Sequence, residues 1–232
     1  ALVDRALARV GQLPAVSVAA LGNHVPLERG VNLPIEPPPS GRVSGVRSVD
    51  WRYVTPSYFE AFRIGLRAGR VFTEGDRMGT LPVAIVNESF ARTYFGETNV
   101  VGQSLSAVRQ TGDGPRKIVG VVADVRSRPG AGWTSGLTAL GAPAPPTMYV
   151  PLAQVPAGVL AIAHRFFPVT WIVRTTRPVP DLSAQVARIV RSEEPSLAFI
   201  RFAPMTEIIA EDVRLPRALA MALTFFGALA LI

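Results

Sequence analysis

The strongest constraint in the sequence is a pattern that occurs twice between residues 49 and 96, a strand run followed at once by a short helix with aromatic side chains. In the first copy, apolar and polar residues alternate with a period of two, which is typical of a half-buried strand. Thr55 is expected to cap the helix, because Pro56 suits the first helical position. Gly65 is expected to end it in the left-handed conformation. The aromatic side chains of this predicted helix are Tyr58, Phe59 and Phe62.

The second copy begins with an apolar run at residues 83–86, and Asn87 is the expected cap of the helix that follows. Phe90 and Tyr94 are four residues apart and therefore share a helix face. Gly96 is expected to close this helix. Each buried Phe contributes roughly 1.5–3 kcal/mol, and each cap about 1 kcal/mol. The aromatic side chains should therefore dominate the packing, while the caps set where the helices begin.

The composition is that of a folded chain, and it does not favour a nucleic-acid-binding protein. Hydrophobic residues make up 48% of the 232 residues and charged residues 18%, which argues against disorder. The net charge is +7, but the arginines are dispersed and Lys117 is the only lysine. Without a basic run or an aromatic-basic motif, no nucleic-acid partner is expected. The absence of cysteine excludes disulfides and thiolate metal sites.

The remaining segments are assigned from their periodicity and their turn residues. Residues 1–13 have the pattern of an amphipathic helix that Pro14 stops. His24–Gly41 contains five prolines and no period, so it is interpreted as a surface loop, and Ser127–Pro146 as a second loop. Further strands are expected at residues 15–21, 147–152, 168–175 and 197–202, a hairpin at 105–125, and helices at 181–195 and, interrupted at Pro216, at 205–232.

No catalytic constellation is recognisable, so an enzyme is not expected, and neither a cofactor nor a metal is expected. His24 and His164 show no ligand spacing, and both are interpreted as partly exposed loop residues. Glu193 and Glu194 are interpreted as a solvated pair at a helix end. No serine-nucleophile elbow is present.

Three other motifs have simpler explanations than a functional site. Asp124 and Arg126 are expected to form a surface ion pair. Asn87–Ser89 matches a glycosylation sequon, but the role of Asn87 as a helix cap explains it sufficiently. Gly112–Gly114 lacks the lysine and the following helix of a phosphate-binding loop.

The last fifteen residues, Ala218–Ile232, carry no charge. As a helix they would span roughly 22 Å, whereas the hydrocarbon core of a bilayer is about 30 Å thick. They are therefore expected to be a transmembrane helix cut off within the membrane, because the run is apolar on every side. A buried helix of the protein core is the alternative that this length leaves open.

Five blocks in a fixed order give the chain a resemblance to a known family. The blocks are VTPSYFEAF at 54–62, FTEGD at 72–76, VAIVNE at 83–88, IVGVVADVR at 118–126 and YVPLAQ at 149–154. Their order and spacing resemble the MacB-type periplasmic core domain of ABC-transporter permeases in the FtsX-like superfamily.

The resemblance implies an α+β fold in which a Porter-like α/β subdomain carries an inserted, β-rich Sabre-like subdomain. It implies that residues 1–71 and 144–212 form the Porter-like part and residues 72–143 the Sabre-like part. Residues 213–232 would then start a transmembrane helix, and a further membrane segment would precede residue 1.

The resemblance also implies a non-catalytic, extracytoplasmic domain of a bacterial inner-membrane permease, on the periplasmic side. Such a domain would relay ATP-driven movement of the membrane helices to the handling of a substrate or partner. The implied partners are a cytoplasmic ATP-binding subunit, a periplasmic adaptor or substrate, lipid at Ala218–Ile232, and a second permease copy in a dimer. The alternative is a membrane-tethered binding or regulatory module that acts on a cell-wall hydrolase without export.

Overall fold

The computed structural model describes residues 2–28, 30–35, 47–105, 115–127, 143–166, 169–193 and 202–214. The helices are α1 (Leu2–Gly11), α2 (Tyr58–Phe62), α3 (Glu88–Phe95), α4 (Ala157–Phe166) and α5 (Leu182–Glu193). The strands are β1 (Val16–Gly22), β2 (Val31–Ile35), β3 (Arg47–Val54), β4 (Leu66–Gly69), β5 (Val83–Asn87), β6 (Ser104–Leu105), β7 (Arg116–Val122), β8 (Thr147–Pro151) and β9 (Thr170–Thr175). Leu152–Gln154 form a 3-10 turn, and residues 205–214 form a further helical stretch.

The described strands form a single mixed sheet in the order β4-β7-β5-β8-β3-β1-β9, with β2 paired to β3 and β6 paired to β7. The pairs β3–β8 and β5–β7 are parallel, and the other pairs are antiparallel. The predicted α+β class is confirmed. Strands from residues 72–143 are hydrogen-bonded to strands from the flanking segments, and the division into Porter-like and Sabre-like subdomains stays a prediction.

The period of two along β3 separates the two faces of the sheet. Trp51 and Tyr53 pack on one face with the aromatic side chains of α3. The opposite face holds Tyr58 and Phe59 of α2, together with Tyr149 of β8. Successive residues of a strand point to opposite faces, and the register of the paired strands places α1 and α5 on the same face as α3. Helix α4 packs on that face as well. Of the labelled helices, α2 alone lies on the other face. Part of that second face is therefore covered by irregular chain segments.

The second strand–helix unit forms as predicted. Asn87 has an extended backbone, and its side chain accepts a hydrogen bond from the Phe90 N–H at 3.0 Å. Phe90 and Tyr94 stack with ring centroids 4.4 Å apart. Gly96 ends the helix with φ of 74°, a conformation that favours glycine. Asn87 also joins the helix to the sheet, because its side chain bonds to the Thr147 N–H and the Pro145 carbonyl.

The predicted ends of the first helix are both wrong. Thr55 does not cap α2; its hydroxyl accepts a hydrogen bond from the Leu21 N–H at 2.9 Å and so joins β1 instead. The left-handed residue is Arg63, with φ of 54°, and not Gly65. The helix ends earlier than predicted because the Ile64 N–H returns to the Phe59 carbonyl at 2.8 Å, which turns Ile64 back onto the core.

The interpretation of His24–Gly41 as a surface loop is wrong for its described residues. Residues 31–35 form β2, which pairs with β3 from Val31 opposite Trp51 to Ile35 opposite Arg47. Pro34 has no N–H to donate to a neighbouring strand. It is tolerated within β2 because, among the described strands, β2 pairs only with β3, so the other side of β2 needs no donor. Val25 and Leu27 are buried, so this segment packs onto the rest of the protein.

Other expectations are confirmed, missed or outside the described residues. Strands β1, β8 and β9, helices α1 and α5, and the pairing of β6 with β7 lie where the sequence predicted them, whereas no element was predicted for β4 or α4. The predicted strand at 197–202, the motif Gly112–Gly114, residues 128–142 of the second loop and the membrane segment Ala218–Ile232 lie outside the described residues, apart from Phe202. Within the described ranges, no helix combines the length and the apolar character needed to cross a bilayer.

We expect the substitution Asn87→Ala to lower the free energy of unfolding by about 2–4 kcal/mol, because it removes the α3 cap and leaves the buried Thr147 N–H without its acceptor. Urea unfolding followed by circular dichroism measures this change. Asn99→Ala is the matched control, since Asn99 is exposed and bonds only the Val101 N–H among the described contacts. Equal losses in the two variants would contradict the role given to Asn87.

Candidate functional sites: a helix pair and a buried ion pair

Helices α1 and α5 lie side by side and run in opposite directions. Strand β1 begins opposite the end of β9, with Val16 paired to Thr175, and the Thr176 N–H donates to the Ala15 carbonyl at 2.8 Å. Helix α1 therefore ends, and α5 begins, near the same end of the paired strands β1 and β9. The start of α1 and the end of α5 consequently meet at the opposite end of the pair.

Four side chains, which we call the Glu193 clamp, connect the two helices at that end. The two carboxylate oxygens of Glu193 accept hydrogen bonds from Arg5 Nε at 3.0 Å and from Arg9 Nη1 at 2.9 Å. Arg9 Nη1 also donates to Ser192 Oγ at 2.7 Å. The hydrogen bonds from Arg5 and Arg9 lower the pKa of the Glu193 carboxyl group below its ordinary value.

The prediction that Glu193 belongs to a solvated pair is therefore wrong, and Glu194 lies outside the described residues. The Glu193 side chain is 13% exposed, whereas those of Arg5 and Arg9 are 64% and 47% exposed. Beneath the clamp, Val10 of α1 is buried against Val186 and Val190 of α5. Apolar packing therefore holds the helices together, and the clamp adds a directional contact between residues about 185 positions apart in the chain.

A buried ion pair lies on β3, on the face opposite Trp51 and Tyr53. Asp50 is 4% exposed and Arg52 is fully buried. The Arg52 guanidinium donates to Asp50 Oδ2 through Nε at 3.1 Å and through Nη2, and also to Ser127 Oγ at 2.6 Å. Its third nitrogen donates to the Tyr149 hydroxyl at 3.2 Å, and the cation lies 5.4 Å from the centroid of that ring.

The surroundings keep Arg52 charged although it is buried. Burial alone would lower the pKa of the guanidinium, but the charge of Asp50 and, to a smaller extent, Tyr149 and Tyr58 raise it above its ordinary value. Removing two charges from water costs several kcal/mol per ion, so such a pair is weak evidence for stability. Its donors instead fix the positions of Ser127 and Tyr149 relative to β3.

Residues 23–28, which we call the cover segment, lie over this ion pair. Asn23 accepts a hydrogen bond from the Tyr53 N–H at 2.9 Å, and the Leu27 N–H donates to the Arg126 carbonyl at 2.9 Å. The Tyr58 hydroxyl donates to the His24 carbonyl at 3.2 Å. The cover segment is thus hydrogen-bonded to β3, to α2 and to the chain that follows β7.

The two histidines have different environments. His24 is 3% exposed, so the expectation that it is a partly exposed residue is wrong, because the cover segment packs onto the sheet. His164 is exposed as expected, although it lies on α4 and not in a loop, with its ring 5.9 Å from that of Tyr53. The histidines are not brought together. Within the described part of the chain, no group of three or more potential ligands could hold a metal ion.

Asp124 has a different partner from the one predicted. Its carboxylate accepts hydrogen bonds from Arg92 and from the Ser89 N–H at 2.7 Å, in place of the expected pairing with Arg126. The first turn of α3 has unsatisfied N–H groups and a favourable dipole for an acid. The helix start therefore attracts Asp124, and the Arg126 backbone bonds to the cover segment.

Comparisons with known proteins agree with the resemblance seen in the sequence. The family model described as "MacB-like periplasmic core domain" matches residues 2–191. Among solved structures, the chain is similar to the periplasmic region of MacB from Actinobacillus actinomycetemcomitans, with 15% identity, a TM-score of 0.48, and coverage of 81% of this chain and 72% of that one. It is also similar to the extracellular domain of the noncanonic ABC-type transporter YknZ from Gram-positive bacteria, with 15% identity, a TM-score of 0.49 and 83% coverage of each chain. No curated protein matches the chain.

We expect Glu193→Gln to destabilise the packing of α1 on α5 modestly at pH 7, because the amide loses the charge that both arginines contact. The measurement is urea unfolding at low and at high salt, and the loss should shrink at high salt. Because the folded-state pKa of Glu193 is lowered, its contribution is present above the unfolded-state pKa and is lost as the pH falls through the folded-state value. Glu60→Gln, at an exposed residue of α2, should show neither dependence.

We expect Arg52→Met to lower the free energy of unfolding by about 3–5 kcal/mol, because it leaves the Asp50 carboxylate buried without its cation. Thermal and urea unfolding measure the loss. The double variant Asp50→Leu/Arg52→Met should be more stable than the single variant, since it removes both charges. A double variant that is less stable than the single one would show that the ion pair itself, and not the abandoned charge, carries the stability.

Proposed function

Because the chain belongs to the family of MacB-like periplasmic core domains, the extracytoplasmic domains of ABC-transporter permeases, we propose that it relays ATP-driven movement of the membrane helices to the handling of a substrate or partner outside the membrane. Permeases of this family work with ATP-binding subunits, and their periplasmic domains are generally non-catalytic. The proposed role of this chain is therefore mechanical.

The meeting of the start of α1 and the end of α5 is the observation that supports a relay. Both helices can receive a displacement at this one end, and the Glu193 clamp connects them there. Because Glu193 contacts two successive turns of α1, a shift of α5 along its axis would have to break or carry both ion pairs. The clamp thus favours movement of the two helices as one body.

The sheet offers a continuous route for that displacement. Ala19 of β1 and Trp171 and Val173 of β9 pack beneath the helix pair. Strand β1 is paired with β3 at Gly22 and Val54. On the other face, Arg174 of β9 donates to the Ala61 carbonyl of α2 at 2.8 Å. Movement of the pair would therefore reach both faces of the sheet through hydrogen bonds and packed side chains.

The remaining parts of the proposal concern the whole permease. Residues 72–143 would act as the Sabre-like part, and residues 1–71 with 144–212 as the Porter-like part. Ala218–Ile232 would contact lipid as the start of a transmembrane helix. Two permease copies would work as a dimer with a periplasmic adaptor or substrate, in the inner membrane of a bacterium.

The relay is tested in the full permease reconstituted with its ATP-binding subunit in liposomes. We expect Glu193→Lys to weaken the coupling of ATP hydrolysis to movement of this domain, because it places a third cation beside Arg5 and Arg9. Coupling is measured as ATPase rate together with the ATP-dependent change in a spin-label distance between α5 and β7, using introduced cysteines in a chain that has none. The charge-swapped variant Arg5→Glu/Arg9→Glu/Glu193→Arg should restore coupling.

Glu60→Lys is the matched control, since it makes the same charge change at an exposed position of α2. An unchanged distance response in Glu193→Lys, with the variant correctly folded, would count against the relay. A response to ATP that activates a cell-wall hydrolase without moving any cargo would instead favour the regulatory alternative, which needs the same coupling.

A further inference from the structure

The cover segment contains a buried titratable group that the relay does not use. His24 is 3% exposed, and both of its ring nitrogens are buried without a hydrogen-bond partner. A neutral imidazole always has one N–H to donate and one lone pair to offer, so both groups forgo a bond here. Protonation would add a second N–H and a charge to a ring of which neither nitrogen has a hydrogen-bond partner.

The charge of Arg52 has the wrong sign for a protonated histidine. Arg52 is fully buried, and its charge acts on His24 in the same direction as burial, so that the pKa of His24 lies well below its ordinary value. Among the described residues, the other titratable or charged groups on the cover segment and on the elements bonded to it or to Arg52 include Asp50 on β3, Tyr58 on α2, Tyr149 on β8, Asp124 and Arg126 after β7, and Glu28 on the segment itself.

Asp50 does not accept a hydrogen bond from His24 while the segment is closed. Its Oδ2 atom accepts from Arg52, and its Oδ1 atom, which has no hydrogen-bond partner, lies against the backbone of Gly30, where an added Cβ would lie 2.0 Å from that oxygen. Asp124 is engaged with Arg92 and the first turn of α3. Neither carboxylate is therefore bonded to a ring nitrogen of His24 in the closed segment.

Neutral hydrogen bonds and buried apolar side chains help to hold the segment closed. The hydrogen bonds include those of Asn23 to the backbone of β3, of the Leu27 N–H to the Arg126 carbonyl, and of Tyr58 to the His24 carbonyl, and the side chains of Val25 and Leu27 are buried. Neutral hydrogen bonds each contribute only about 0.5–1.5 kcal/mol, whereas leaving a buried charge unpaired costs more. Protonation of His24 therefore opposes closure by more than any one of these hydrogen bonds contributes.

We propose that His24 is an acid-sensitive latch. When the His24 ring is neutral, residues 23–28 cover the Asp50–Arg52 ion pair. When the ring is protonated, residues 23–28 move away and the ion pair is exposed to water. In this step one proton is transferred from solvent to a ring nitrogen of His24, and no other covalent bond forms or breaks. Opening also breaks the hydrogen bond from the Leu27 N–H to the Arg126 carbonyl.

The direction of the pH dependence follows from the two states. The open form has a histidine of ordinary pKa, about 6.5, and the closed form has one of lower pKa. Closure is therefore complete above about pH 6.5, and below it each pH unit favours the open form by about tenfold until the closed-state pKa is passed.

The test uses the 232-residue chain, whose two histidines should give two imidazole signals in NMR. Hydrogen exchange by mass spectrometry, compared as protection factors at pH 7 and pH 5, should show at least a tenfold loss of protection in peptides covering residues 23–28 and 123–127. Peptides from β5 and β8 should keep their protection. The His24 signal should shift only together with this loss.

Two variants separate the latch from general acid sensitivity. His24→Phe keeps an aromatic ring of similar size and cannot be protonated, so the acid-induced loss should disappear. His164→Phe removes the exposed histidine on α4 and should leave the loss unchanged. The proposal is overturned if His24→Phe opens as the parent chain does, if His24 titrates near its ordinary pKa without any change in exchange, or if β5 and β8 lose protection together with the cover segment.

Discussion

Strand β3 has to bury both of its faces, and most of the architecture follows from how it does so. Trp51 and Tyr53 fill one face and are covered by helices. Asp50 and Arg52 lie on the other, which also holds Tyr58 of α2, and their two buried charges form an ion pair. The Arg52 guanidinium in turn donates to Ser127, after β7, and to Tyr149 of β8, so that one group fixes two other parts of the chain relative to β3. Buried polar pairs of this kind give specificity of arrangement more than stability.

The two sites are built on different physics. At the helix pair, apolar side chains supply the adhesion, and exposed arginines around Glu193 supply direction, which leaves the contact open to screening by salt. At the covered ion pair, both charges are buried, and neither ring nitrogen of His24 has a hydrogen-bond partner. A mechanical connection suits the first site, because the packed apolar side chains and the Glu193 clamp hold the two helices to each other. A switch suits the second, because burial makes one proton decisive.

Local chemistry explains which predictions from the sequence were correct. Asn87 caps α3 because its acceptor and the Phe90 N–H are three residues apart, so that no distant group needs to be known. Thr55 had an equally good local pattern, but the Leu21 N–H competes for its hydroxyl. Asp124 and Glu193 likewise have partners from other elements. His24 was misjudged because proline-rich composition indicates irregular backbone, which this chain uses as a cover and not as an exposed loop.

By itself, the sequence determined the α+β class, the second strand–helix unit and the family, since each depends on residue types within a few positions or on the order of short blocks. Only the tertiary structure decided the strand order, the pairing of Glu193 with Arg5 and Arg9, and the burial of His24 above Arg52. The physical reason is the sequence separation of the interacting residues. A hydrophobic period or a helix cap is specified by residues within one or two turns. Contacts between residues more than 180 positions apart depend on how all the intervening strands pair.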